Sequence, residues 1–158
     1  MISRDDLKQM VMLAHMSDEM LDQMIPITEM NQFDAKDYVF RQGDLADRFY
    51  FLVKGKVLLE KRISPEIAIS LSSIKPDFSF GWSALLDDEN YTMDAVCAEP
   101  SQVLSYRAAK LKALSENDHS FGYIMSQRLL RVIKKRYNTV TEQFIKAIRH
   151  HPDLGSLL

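Results

Sequence analysis

Cysteine is nearly absent from this chain. Cys97 is the only one in 158 residues, which excludes an intrachain disulfide and any multi-cysteine metal or iron–sulfur site. Long apolar runs are missing as well. No stretch approaches the roughly 20 apolar residues of a membrane span, and no basic segment precedes an apolar one at the N-terminus. A soluble, cytoplasmic protein with no membrane partner is therefore expected. The formal net charge of −2 gives no global pull toward nucleic acid. Lys and Arg disappear entirely between Pro76 and Tyr106, a window that holds Asp77, Asp87, Asp88, Glu89, Asp94 and Glu99. The histidines are His15, His119, His150 and His151. The adjacent pair points in different directions on a helix, so no metal site is expected.

What is present suits one domain over 1–158. A hydrophobic share of 46% is enough to bury a core. Residues 1–30 read as two short helices. Ser3 with Asp5 and Asp6 starts the first, followed by Leu7, Met10, Val11 and Ala14; Ser17 caps the second, with Met20, Leu21, Met24 and Ile25 on its apolar face. The methionines fall on those apolar faces and read as pliable core packing rather than a metal or oxidation sensor. From residue 31 the period becomes two, and Tyr38–Gln42, Arg48–Val53, Lys56–Arg62, Ile67–Ser72, Tyr91–Ala98 and Gln102–Arg107 read as strands. Gly43-Asp44 and Lys54-Gly55 mark turns between them. Short strands with brief turns point to an antiparallel barrel or sandwich rather than alternating β-α units.

Helical period returns over 108–150. A short helix covers Ala109 to Ser115, with Leu111 and Leu114 inward. A long one runs from about Ser120 to Arg149, stopped by Pro152. Leu130, Ile133, Tyr137, Val140, Phe144 and Ala147 repeat at alternating three and four, a heptad seam, while Phe121, Ile124, Met125, Leu129 and Val132 make a second apolar face. One chain offers too few elements to cover both faces, so a homodimer through Leu130, Ile133, Tyr137, Val140 and Phe144 is expected.

Taken together, the segment VFRQGDLADRFYFLVKGKVLL (39–59) and the cassette FGWSALL (80–86) resemble the effector domain of the Crp/Fnr family, with its cyclic nucleotide-binding fold. The resemblance covers about residues 15–148. It implies a mainly β, α+β architecture: a jelly-roll β-roll (a double-stranded β-helix) with two N-terminal helices, a short helix and a long C-terminal dimerisation helix. It also implies ligand binding at Phe80, Gly81, Trp82, Ser83, Ala84, Leu85, Tyr91 and Thr92, with Tyr137 reaching in from the long helix. In the family a Glu after the cassette glycine holds the ribose, and an Arg followed by Ser or Thr holds the cyclic phosphate. Here Trp82 stands at the Glu position and Tyr91 at the Arg position, with Thr92 keeping the hydroxyl. Losing one charge-assisted pair costs about 1.5–3 kcal/mol, so binding of cAMP or cGMP is expected to be weak. Lys75 and Arg107 flank the cation-free window and are the nearest replacements. The remaining aromatic lining suits a flat ligand held by stacking. The alternative is a vestigial pocket plugged by Trp82 in a dimerisation module.

An effector would act by shifting the cassette and, through it, the last helices. About ten residues follow Ile148, too few for a helix-turn-helix, so DNA reading by this chain is not expected, unless the sequence is a cut-down regulator. A separate protein partner would then receive the signal. The long helix carries Arg128, Arg131, Lys134, Lys135, Arg136, Lys146 and Arg149 against Glu142, read as a solvated face, with an acidic protein or nucleic acid as the sharper alternative. An enzyme is not expected: Gly81-Trp82-Ser83-Ala84-Leu85 lacks the second glycine of a nucleophile elbow. No cofactor is called for, and no pair of residues stands out as haem ligands.

Overall fold

The computed structural model describes residues 2–152 and 154. Helix α1 (Arg4–Gln9) begins in a capping box: the Asp6 amide donates to Ser3 Oγ while the Ser3 amide donates to the Asp6 carboxylate at 2.8 Å. Helix α2 (Asp18–Met24) is capped by Ser17, and a 3-10 turn at Ile25–Ile27 follows. Leu7, Met10, Met12, Leu13, Met16, Leu21 and Met24 are all buried, as core packing requires of the methionines. The expected first stripe is too long. α1 ends at Gln9, and Val11 is 46% exposed because its amide is turned to bond the Asp77 carbonyl at 2.9 Å.

Eight strands follow, all antiparallel: β1 (Glu29–Phe33), β2 (Tyr38–Phe40), β3 (Arg48–Lys54), β4 (Val57–Arg62), β5 (Ala68–Ile74), β6 (Ser79–Phe80), β7 (Asp94–Cys97) and β8 (Ser101–Arg107). They form two four-stranded sheets, β1-β8-β3-β6 and β2-β7-β4-β5, so neighbours in sequence repeatedly alternate between sheets. This is the expected β-roll. Phe49, Tyr50, Phe51 and Leu52 of β3 are buried on both faces of the strand, and Val57, Leu59, Ala95, Cys97, Val103 and Tyr106 complete the roll's core. Gly55, at φ 98°, turns β3 into β4 where any Cβ would come within 2.7 Å of the Pro100 carbonyl.

The strands differ from the sequence reading in several places, and β2 ends at Phe40 rather than Gln42. β5 starts one residue and ends two residues beyond the expected Ile67–Ser72, with Leu71 inserted as a bulge between the pairs Leu59↔Ser72 and Glu60↔Ser70. β7 begins at Asp94, not Tyr91, because Tyr91 is held in a loop pair: the Gly43 amide donates to its carbonyl and its amide donates to the Asp44 carbonyl. β1 and β6 are additional strands. The first is a polar edge and the second spans two residues, so neither shows an apolar alternation.

Helix α3 covers Ala108–Asn117 with Leu111 buried, and α4 runs His119–Arg149. The chain divides into two compact units, one ending at Gly122 and the other starting at Tyr123. In the second unit the seam stands open to solvent: Leu130 is 58%, Ile133 40%, Tyr137 69%, Val140 49% and Phe144 65% exposed. Among the described residues no helix is long and apolar enough to cross a membrane, and no cluster of His, Cys, Asp or Glu is arranged to hold a metal ion.

Candidate functional site: an aromatic-filled cassette

The cassette starts where β6 ends. Phe80 pairs with Tyr50 of β3, and Gly81 then takes φ 78° and ψ 35°, a left-handed turn that glycine adopts without penalty. A Cβ at Gly81 would lie 2.9 Å from Tyr50 Cδ2, 3.2 Å from the Arg48 carbonyl and 3.3 Å from Phe40 Cε1. The glycine thus serves close approach to the protein's own aromatics. Trp82–Leu85 form the short 3-10 turn expected over Ser83–Leu86, with Ala84 buried and Ser83 and Leu85 half-buried.

Four rings fill the space beside this turn. Phe40 and Tyr91 stack at 3.7 Å between centroids, tilted by only 12°; Tyr50 and Phe80 stack at 5.2 Å, and Phe40 lies 6.0 Å from Phe80. Phe80 is fully buried, Tyr91 is 4% exposed and Tyr50 6%. The Tyr91 hydroxyl donates to the Arg48 carbonyl at 2.6 Å and accepts from the Arg48 amide at 3.2 Å. Burial, with the neighbouring Tyr50, pushes its phenol far above the ordinary range, so it stays neutral and keeps donating. The residue at the position of the family's arginine is therefore a packed, doubly bonded core side chain.

Trp82 is turned toward the N-terminal segment. Its indole N–H donates to Ser79 Oγ at 3.2 Å, and Ser79 Oγ in turn donates to Met12 Sδ at 3.0 Å. Tyr91, by contrast, is stacked on Phe40. Thr92 is exposed, and its carbonyl accepts from Lys61 Nζ at 2.8 Å. Tyr137 belongs to the second unit and sits on the seam of α4.

The acidic neighbourhood has cationic partners from outside its window. Lys112 of α3 reaches Asp87 at 2.8 Å, and Arg62 of β4 reaches the buried Asp94 at 2.8 Å. Desolvation raises the Asp94 carboxyl, but the Gln42 amide and the Arg62 guanidinium outweigh it and hold the group below its ordinary value. Of the two cations that flank the window, Arg107 lies 3.5 Å from Glu29, which also takes the Arg48 guanidinium at 2.6 Å, and Lys75 is exposed. Cys97, the single thiol, is buried, and desolvation raises it above its usual range. Phe40, Tyr50, Arg48 and Lys61 are the site residues that sequence reasoning missed; the alternation of β2 and β3 marks Phe40 and Tyr50 as packing residues without saying what they pack on.

Two surface clefts lie among other residues. One, of about 370 Å³, is lined by Gln32, Asp34, Asp37, Lys54 and Gln102 among others, and a second, of about 380 Å³, by Gln42, Arg62, Ile63, Ser64 and Pro65. No cassette residue lines either.

Comparison with known proteins agrees with this geometry. Residues 30–118 match the profile of the Cyclic nucleotide-binding domain. The Global nitrogen regulator of Nostoc is 30% identical over 136 residues, 84% of this chain and 57% of that one. The cGMP-dependent protein kinase, isozyme 1, of Drosophila melanogaster is 24% identical over 60% of this chain and 12% of its own length. The chain therefore spans about half of the first relative and a small part of the second. Among solved structures, a putative cyclic nucleotide-binding protein from Geobacter metallireducens superposes with a TM-score of 0.77 at 26% identity, covering 87% of this chain and 99% of that one. With more than half of its length in that match, and with the glycine-turned cassette in place on a two-sheet roll, the chain belongs to the cyclic nucleotide-binding domain family.

Proposed function

We propose that this chain is a non-enzymatic regulatory domain whose β-roll is completed by its own aromatic side chains instead of a cyclic nucleotide, and which acts as a homodimer through α4. One observation carries the reading: Tyr91 stands where the family places its phosphate-binding arginine, stacked on Phe40 at 3.7 Å and bonded to the Arg48 backbone. A ligand entering between Gly81 and Phe40 has to break that stack and orphan the Arg48 carbonyl, and it gains neither charged anchor in return. The kinase relatives are named for cGMP dependence. This chain keeps their fold while replacing the anchors with Trp82 and Tyr91.

Isothermal titration with cAMP and cGMP tests the reading. The expected result is no heat of binding up to about 100 µM of either nucleotide, a loss of two charge-assisted pairs at about tenfold to a hundredfold each. Micromolar affinity for either overturns it. The double substitution Trp82→Glu with Tyr91→Arg restores both anchors and is expected to create measurable cAMP binding. For the dimer, sedimentation across a wide concentration range is expected to give twice the chain mass, and a monomer at every concentration refutes it.

A further inference from the structure

Helix α4 carries a second feature besides the seam, in two cationic clusters, Arg128 to Lys135 and Lys146 with Arg149. From Arg128 to Arg149 the residues advance by about 100° and 1.5 Å each. On that geometry Arg128, Arg131, Lys135, Lys146 and Arg149 fall within a sector about 60° wide, and Lys134 flanks it. The seam residues Leu130, Ile133, Tyr137, Val140 and Phe144 occupy the diametrically opposite sector. The cationic stripe is about 32 Å long. Arg131, Lys134, Lys135, Lys146 and Arg149 are exposed and Arg128 is half-buried, and none of the six makes an ion pair with a described residue. In the first unit six of the thirteen Lys and Arg, namely Arg4, Lys8, Arg48, Arg62, Arg107 and Lys112, have carboxylate partners.

The charge is concentrated, not diffuse. Residues 119–149 hold seven Lys or Arg against one acid, Glu142, a net of +6 in a chain whose formal charge is −2, so the rest of the chain carries −8. Six like charges on one helix repel one another at i, i+3 and i+4 spacing and weaken the helix by a few tenths of a kcal/mol per pair. A solvated face needs only mixed polar residues, so this sequence tolerates a local cost that mixed charge would remove.

We propose that the stripe is a docking surface for an acidic segment of a partner protein, held alongside α4 on the face opposite the seam. Charge complementarity selects an acidic partner, and three features favour protein over nucleic acid. The Arg128, Lys135, Glu142 and Arg149 positions recur every seven residues, the repeat of a helix laid beside a helix. Glu142 lies in the gap between Lys135 and Lys146, two-thirds of the way along the stripe, which suits a partner acidic at both ends and neutral or basic between; a phosphate backbone is uniformly negative. Between Arg128 and Arg149 both aromatics, Tyr137 and Phe144, lie on the seam, leaving none on the stripe to stack on bases. Because the stripe and the seam are on opposite faces, pairing through the seam leaves the stripe accessible.

Fluorescence anisotropy with a labelled helical peptide bearing glutamates at heptad spacing, titrated with the whole chain, is the test. Saturable binding is expected at about 50 mM salt, weakening at least about threefold by 150 mM as screening shortens the range of the charges. The triple substitution Arg131→Glu, Lys135→Glu, Lys146→Glu is expected to weaken it at least tenfold, and Glu142→Gln to tighten it. A control with the same charge change elsewhere, Lys54→Glu, Lys75→Glu, Lys110→Glu, is expected to bind within twofold of the parent. Circular dichroism and sedimentation establish that each variant keeps its helix and its mass. No saturable binding, equal weakening by the control, weakening by Glu142→Gln, or tighter stripe-dependent binding of a short DNA duplex would each overturn the proposal.

Discussion

The cassette and the seam of α4 use the same kinds of residue to opposite ends. At the cassette, Phe40, Tyr50, Phe80 and Tyr91 stack on each other and are almost wholly buried, and the Tyr91 hydroxyl is bonded on both sides to Arg48. On α4, Tyr137 and Phe144 are 69% and 65% exposed in a row with Leu130 and Val140. Apolar surface in the first place is satisfied within the chain. In the second it is left for something else to cover, since exposed apolar rows of this length on one helix face mark contact surfaces. The difference sharpens the proposed function, in which the filled pocket offers little to a small molecule and the open seam takes a second helix.

The largest effect is expected from emptying the filled region. Tyr91→Ala removes a stacked ring and both bonds to Arg48, and should cost about 3–5 kcal/mol by denaturant titration. It should also open a ring-sized cavity beside Phe40 that takes phenol or indole, measurable as a rise in melting temperature with added ligand. An unchanged stability would mean that the ring is not part of the core. Charging the open region is next. Tyr137→Glu with Phe144→Glu should shift the monomer–dimer equilibrium by at least about a hundredfold, because each carboxylate would be desolvated at the seam. An unaltered sedimentation coefficient would break the comparison from that side.

Gly81→Ala tests the close approach that lets the rings fill the cassette. The left-handed backbone and the contacts with Tyr50, Arg48 and Phe40 together predict a loss of about 2–3 kcal/mol. The smallest effect concerns Asp94. Its carboxyl is held below its ordinary value in the folded state, so its contribution is fully present above the unfolded value of about 3.9 and is lost as pH falls through the lower folded value. Asp94→Asn should therefore flatten the acid limb of a stability–pH curve. A variant whose acid limb matches the parent's would show that the Arg62 pair contributes nothing there.

The roll was legible where strands alternate strongly, as in Arg48–Lys54 and Val57–Arg62, and at Gly43, Gly55 and Gly81, whose positive φ each turn demands. It was not legible in Glu29–Phe33, a polar edge strand that owes its place to pairing with β8, a partner more than seventy residues away. The Tyr91 segment failed for the same reason. Its aromatic and hydroxyl residues have strand propensity, but Gly43 and Asp44 hold its backbone in a loop. At the site, sequence identified the replaced anchors, Trp82 and Tyr91. It could not say that Phe40 would lie face to face with Tyr91, because that contact joins segments some fifty residues apart. The cation-free window was likewise a property of the sequence and not of space, since Lys61, Arg62 and Lys112 enter from β4 and α3.

Trp82 is the only tryptophan in the chain, and its indole is tied to Ser79 of β6, which leads into the cassette. Its near-ultraviolet emission is therefore a single-site optical gauge that needs no label. Any molecule that reaches the cassette, and any substitution that loosens its rings, is expected to move that one spectrum.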